Sequence, residues 1–275
     1  MSIAIISSSK DPAGFNIRSN LIGIFGFEKI DEKFDENEVY QYDKIQNKKI
    51  KLYLINEDLI FSENIDKKID ADVFIFASKH RSKENTPCFA VHAIGNWSKA
   101  DFGGEKGKLC PSSAVLIKNL FNELNNVAKD MTFELTMEAT HHGPYVDKPA
   151  VFVEIGSTEK EWNDKNNGKI IAETIMKAIE NQNKNYKIAV GIGGMHYCPN
   201  FNKIVLRADI AFSHICPKHH LDKLDENLIK QSIGKTIEKI DFIVLDWKGL
   251  GTEKQRIVDL LKNLNLEFKR TDQIL

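Results

Sequence analysis

The chain has 275 residues, of which 42% are hydrophobic and 28% charged; this excludes wholesale disorder and a membrane-embedded fold and leaves ample length for a buried core. With 38 Lys and Arg against 39 Asp and Glu, and a formal net charge of -1, it lacks the overall basic character of a dedicated nucleic-acid-binding domain. Contact with RNA therefore has to run through a local basic patch.

Ser2–Ser8 is a compact apolar strand, and the Met1–Lys10 segment has no basic lead or small-residue cleavage site, so no secretory signal is expected. Pro12 suits the first turn of the helix that follows. Residues 28–70 are rich in charge and short strands, fitting an edge hairpin or a small insertion; Ile50–Ile55 is a strand within them. Asp72–Ala77 contains Val73, Phe74, Ile75 and Phe76, apolar on both faces as in a strand covered on both sides. Further strands are predicted at Phe89–Ile94, Thr132–Ala139, Val151–Ile155, Lys187–Ile192, Ile210–Ile215 and Phe242–Leu245. Apolar residues recur at helical spacing in Ser112–Lys129, Lys165–Asn181 and Thr252–Leu264. Strands alternating with helices predict one α/β domain over residues 1–275, with a central, mostly parallel or mixed sheet flanked by helices. No apolar run reaches the roughly 18 residues that span a bilayer. Four scattered cysteines without a CxxC pair read as reduced thiols of a cytoplasmic protein, and a monomer is expected.

In open α/β sheets ligands gather beyond the carboxyl ends of the strands, and the polar residues are expected to fall there. Lys79, His80 and Arg81 follow one strand and form a basic cluster suited to RNA phosphates or to a solvated loop. His92 lies on the next strand, ahead of Gly95, Asn96 and Trp97. The sharpest motif is Glu138-Ala139-Thr140-His141-His142-Gly143-Pro144. At a strand-to-loop turn both histidines can swing into one site, with a carboxylate three residues earlier to ligate metal, orient an imidazole or act as a base. Glu154 ends another strand. Gly193 and Gly194 precede His196 and Tyr197, so His196 is a third nitrogen for a zinc site and the glycines let backbone amides approach an oxyanion. Trp97 and Tyr197 are candidates to stack on a base or ribose. No GxSxG elbow is present, which argues against a conventional serine esterase.

The runs Ser78–Ser82, His92–Trp97, Glu138–Pro144, Glu154–Trp162 and Gly193–Tyr197, with Phe102-Gly103-Gly104 and Ser213-His214-Ile215, together resemble the archaeal and plant type of D-aminoacyl-tRNA deacylase. The resemblance spans most of the chain in the family's order. It implies zinc-associated hydrolysis of D-aminoacyl-tRNA and a fold related to peptidyl-tRNA hydrolase and purine nucleoside phosphorylase.

The chemistry of the residues then assigns expectations: His141, His142 and His196 hold zinc, Glu138 is general base or orienter, and Lys79 or a backbone amide meets the oxyanion. His80, Arg81, Asn96, Trp97, Glu154, Gly193, Gly194 and Tyr197 are expected to bind the acceptor end of the tRNA. The competing readings are a nucleoside phosphorylase-like enzyme, a zinc aminopeptidase-like enzyme, and a tRNA- or zinc-binding module without turnover, whose histidines would close a four-ligand shell.

Overall fold

The computed structural model describes residues 1–181 and 185–275. Its strands are β1 (Ser2–Ser8), β2 (Glu28–Phe34), β3 (Asn37–Tyr42), β4 (Lys49–Ile55), β5 (Val73–His80), β6 (Cys88–Ala93), β7 (Glu134–Met137), β8 (Ala150–Gly156), β9 (Lys187–Ile192), β10 (Ile210–Cys216), β11 (Phe242–Leu245) and β12 (Phe268–Arg270). Its helices are α1 (Pro12–Phe25), α2 (Ala114–Val127), α3 (Glu159–Asn163), α4 (Lys165–Glu180), α5 (Pro199–Arg207), α6 (Glu226–Gly234) and α7 (Lys254–Asn263).

The strands form two sheets, eight strands in the order β2-β3-β4-β1-β5-β8-β6-β7 and four in the order β10-β9-β11-β12. Within the larger sheet β4, β1, β5 and β8 run parallel. Strand β6 pairs antiparallel with β8, and β7 runs parallel to β6. The sheet is therefore mixed, as expected. Residues 28–70 supply one edge, where the β2–β3 hairpin joins β4. The smaller sheet is parallel throughout.

Local signals explain the helices. Asp11 caps α1 by accepting from Gly14 N at 2.9 Å, Pro12 occupies its first turn, and Gly26 ends it with φ 71°. Helix α1 buries Ala13, Ile17 and Leu21, and α2 and α4 bury Leu120, Leu124, Ile171 and Ile175, all against one face of the large sheet. The other face of that sheet holds Phe74, Phe76 and Phe152. The small sheet packs Val190, Ile192, Ile243 and Leu245 against Leu228 and Ile229 of α6 and Ile257 and Leu261 of α7. Lys118 on α2 joins the two sheets: its buried ammonium donates to the carbonyls of Val205 (2.6 Å), Ala208 (2.6 Å) and Ile210 (3.1 Å).

Candidate functional site

Alternation along the paired strands collects the chemistry. Across β5, β8 and β6 the register sets Phe76 beside Phe152 and Phe152 beside His92, and Ser78 beside Glu154. Two residues further on, His80 pairs with Gly156. Side chains two apart share a face, so Ser78, His80, Glu154 and His92 all project from the face opposite α1 and α4. Glu138, directly after β7, continues that strand's register through its amide, which donates to Val91 O at 3.0 Å. Because β6 and β7 run against β8, the cluster lies on the sheet face and not purely beyond the strand ends. This differs from the placement the sequence suggests.

At its centre are two buried carboxylates that share one imidazole. His80 Nδ1 is 3.3 Å from Glu138 Oε1 and 3.4 Å from Glu154 Oε2. Glu154 also lies 3.8 Å from His92 Nε2, and Glu138 lies 3.7 Å from both His141 Nε2 and His196 Nε2. Among the described residues neither oxygen of Glu138 has a hydrogen-bond partner, nor does His92 Nε2. Burial raises Glu138 to about 7 against the pull of His80 and His92. Burial also acts to raise Glu154, but the contact with His80 and the charge of the nearby His80 and His92 imidazoles outweigh it and hold that carboxyl well below its ordinary range. For His80, burial opposes charge, yet the two carboxylates lift it to about 9.

Three imidazoles are fixed in one tautomer. His92 Nδ1 donates to Ala93 O (3.0 Å), His141 Nδ1 to Ala139 O (2.8 Å) and His142 Nδ1 to Gly143 O (2.6 Å). A carbonyl can only accept, so Nδ1 carries the proton in each ring and Nε2 is the nitrogen left for a further partner. Ring centroids are 4.1 Å apart for His92 and His141 and 4.3 Å for His141 and His142. His142 reaches this side because its backbone is left-handed, with φ 42°. Burial and neighbouring imidazoles depress His141 well below its usual range and His142 to about 3. His196 falls to about 4 for the same reasons.

The donors that approach one another are His92, His141 and His142 as one group, Glu138, His141 and His196 as another, and His80, Glu138 and Glu154 as a third, each within 4.8 Å. The sequence set of His141, His142 and His196 is thus divided, with His141 common to the first two groups.

A cavity of about 570 Å³ opens over the cluster; His141, His142, His196, Glu154 and Tyr197 are on its wall. Glu138 and His92 lie behind those histidines. Lys79, His80 and Arg81 also line it, and His80 Nε2 is 3.3 Å from the Tyr197 hydroxyl. Lys79 Nζ donates to Lys10 O at 3.2 Å, and the Arg81 guanidinium lies 5.0 Å over the Trp162 ring.

Other sequence candidates have supporting roles. Asn96 is buried and its amide donates to Gly103 O at 2.9 Å. Trp97 is only 2% exposed and packs with Leu109 and Val190 beneath the small sheet. Gly193 and Gly194 have φ 98° and 84°, and a Cβ on Gly194 would stand 2.8 Å from Asp246 Oδ2. They form the tight turn that delivers His196 and do not line the cavity. The wall also includes Asp58, Ile60 and Phe102, which carry no chemical motif and were not foreseen as site residues; the Phe-Gly-Gly run at 102–104 was the one available signal.

A family model described as D-aminoacyl-tRNA deacylase matches residues 67–269. Curated proteins named D-aminoacyl-tRNA deacylase from Thermococcus kodakarensis and Pyrococcus furiosus are 39% and 38% identical, covering 97% and 96% of this chain and 98% of each relative. A crystal structure described as a conserved protein of unknown function superposes with a TM-score of 0.90 at 32% identity, covering 99% of this chain and 96% of that one.

Proposed function

The chain belongs to the D-aminoacyl-tRNA deacylase family, and from that premise we propose that it hydrolyses the ester joining a D-amino acid to tRNA, in the cavity above the His80–Glu138–Glu154 cluster. The observation that carries the reading is the convergence on one cavity of anchored imidazoles and a buried carboxylate without hydrogen-bond partners. Such a substrate places the enzyme in the cytoplasm. No helix among the described residues is long and apolar enough to cross a membrane.

The donor set fits zinc. His92, His141 and His142 each donate one ring nitrogen to a backbone carbonyl, the usual way a metal-ligating histidine is oriented, and His92 Nε2 is buried without a partner. These three residues would hold the ion, which when bound supplies a Lewis acid beside the scissile carbonyl. An aminoacyl ester is already activated, so the chain's own task is to position a water and stabilise the developing oxyanion. His196, on the wall and backed by Glu138 at 3.7 Å, takes the proton of the attacking water. Glu138 lies behind the wall and sets a carboxyl group beside the His196 imidazole as it gains the proton. With the Lys79 ammonium held on Lys10 O at 3.2 Å, a backbone amide is the group that meets the oxyanion. His80 and Glu154 keep this polar floor rigid, and Tyr197 borders the substrate.

The deciding assay is deacylation of matched D-tyrosyl-tRNA and L-tyrosyl-tRNA, with and without a zinc chelator. Rapid loss of the D-ester alone, stopped by chelation and restored by zinc, is the expected result. D-selective turnover indifferent to the chelator would remove zinc from the scheme and leave the histidines as the catalysts. Equal inertness toward both esters would refute the deacylase reading.

A further inference from the structure

A largely exposed ring stands at the edge of the cavity on backbone fixed by hydrogen bonds and close approaches. Phe102 lines the cavity and is 67% exposed. Phe102 O accepts from Gly143 N at 3.0 Å, directly after the site histidine His142. Gly103 O accepts from Asn96 Nδ2, and Gly104 N donates to the Glu63 carboxylate. The backbones approach so closely that a Cβ on Gly103 would stand 1.7 Å from Ile60 O, and one on Gly143 would stand 2.1 Å from Gly104 N. Three backbone segments, around 60, 103 and 143, are thereby locked together, and Phe102 is the aromatic ring that the lock presents to the cavity. A second exposed ring, Phe61, adjoins Gly103.

The same cavity wall carries Lys79 and Arg81, and among the described residues neither is within ion-pair distance of a carboxylate. An exposed aromatic face together with available cations is complementary to a nucleotide: the ring takes the base and the cations take phosphate. Resting on the deacylase reading, we propose that Phe102 is the stacking platform for the 3′-terminal nucleobase of the aminoacyl-tRNA, with Lys79 and Arg81 attracting the adjoining phosphates. Fixed backbone suits this task, because a pre-positioned ring spends no ordering entropy when the base arrives. Of the two aromatics that the sequence suggests for stacking, Trp97 is enclosed and unavailable, and Tyr197 lies on the wall with its hydroxyl 3.3 Å from His80 Nε2. Asn96 contributes indirectly, by bracing Gly103.

The test uses Phe102→Ala and Phe102→Trp in the full chain. With D-tyrosyl-tRNA and D-alanyl-tRNA, Phe102→Ala is expected to raise KM about tenfold for both, the size of one lost base stack, while Phe102→Trp restores it. The fluorescence that Phe102→Trp adds over the wild type should be quenched by AMP, a readout independent of turnover. A KM unchanged in Phe102→Ala, or a loss confined to the D-tyrosyl substrate, would overturn the proposal; the latter would make the ring part of an amino-acid side-chain pocket. If the wild type fails to cleave either ester, the deacylase reading fails. The AMP titration still decides the platform, with quenching supporting it and no response overturning it.

Discussion

Asn202 touches neither cavity nor cluster, yet its replacement by Ala should impair turnover. This half-buried side chain on α5 spans the gap between β7 and the loop that carries His196 and Tyr197. Its Oδ1 accepts from Met137 N at 3.0 Å, and its Nδ2 donates to Thr136 Oγ1 and Tyr197 O, both at 2.9 Å. Met137 immediately precedes Glu138, so one amide sets the spacing between the carboxylate and His196. Three neutral hydrogen bonds at about 1 kcal/mol each bring the loss of stability to about 3 kcal/mol. For a chain of this length the unfolding entropy near Tm is about 0.6 kcal/mol/K, so Tm should fall about 5 °C. A shift of roughly 1 Å between reacting groups costs about a hundredfold in rate, so kcat should fall between about 10- and 100-fold. KM should change little, since Asn202 meets no substrate. Thermal unfolding and single-turnover deacylation of D-tyrosyl-tRNA measure the two effects. A variant that melts about 5 °C lower but keeps kcat within twofold would refute the positioning argument, and one unchanged in both would refute the hydrogen-bond assignment as well.

Two further substitutions test the packing and the metal site. Lys118→Met removes the ammonium that binds three carbonyls between the sheets and should cost about 2 kcal/mol at neutral pH. Burial lowers Lys118 from 10.5 to about 8 in the folded chain, so between those values the unfolded chain binds more protons and wild-type stability rises with pH. The deficit of Lys118→Met should therefore widen from neutral pH toward about pH 10, and urea titrations showing it constant or shrinking would contradict this. His92→Phe keeps the ring that lies 5.3 Å from Phe152 at an interplanar angle of 5° but deletes Nε2. Loss of a partner beyond the ligands already costs about 10- to 100-fold in metal affinity, so zinc binding should weaken at least about 100-fold. Full zinc retention after dialysis against a competing chelator would remove His92 from the ligand set.

The strands were largely legible because their apolar runs are long and enclosed on both sides, as the complete burial of β8 and β10 shows. Helices α5 and α6 went unread for a physical reason: each has nine residues, so its apolar face repeats only two or three times. The division into two sheets was also hidden. Strands β9 to β11 are as apolar as those of the large sheet, and pairing is decided by non-local contacts. The reversal of β6 had a usable signal. Residues 81–87 are the whole connection from β5 to β6, too short for the dozen or more residues that a parallel crossover requires.

That reversal explains why residues the sequence distributes over separate strand ends meet in one cluster. If every strand ran parallel, His80, His92, Glu138 and Glu154 would be dispersed over successive carboxyl ends. With β6 and β7 inverted, a strand-interior His92 comes level with Phe152, and Glu138 arrives from the opposite direction. His80 illustrates the same effect within one strand. Its neighbours Lys79 and Arg81 make it look like part of a basic loop, but the two-residue alternation of β5 puts it on the face of Ser78 and Phe76, where two carboxylates meet it. The alternation was visible in the sequence; the partners on β8 and beyond β7 were not. Burial followed from those partners. A histidine flanked by two cations would remain solvated, whereas one held between Glu138 and Glu154 becomes the buried joint that ties β5 to β8 and to the turn after β7, setting the floor on which the cavity histidines stand.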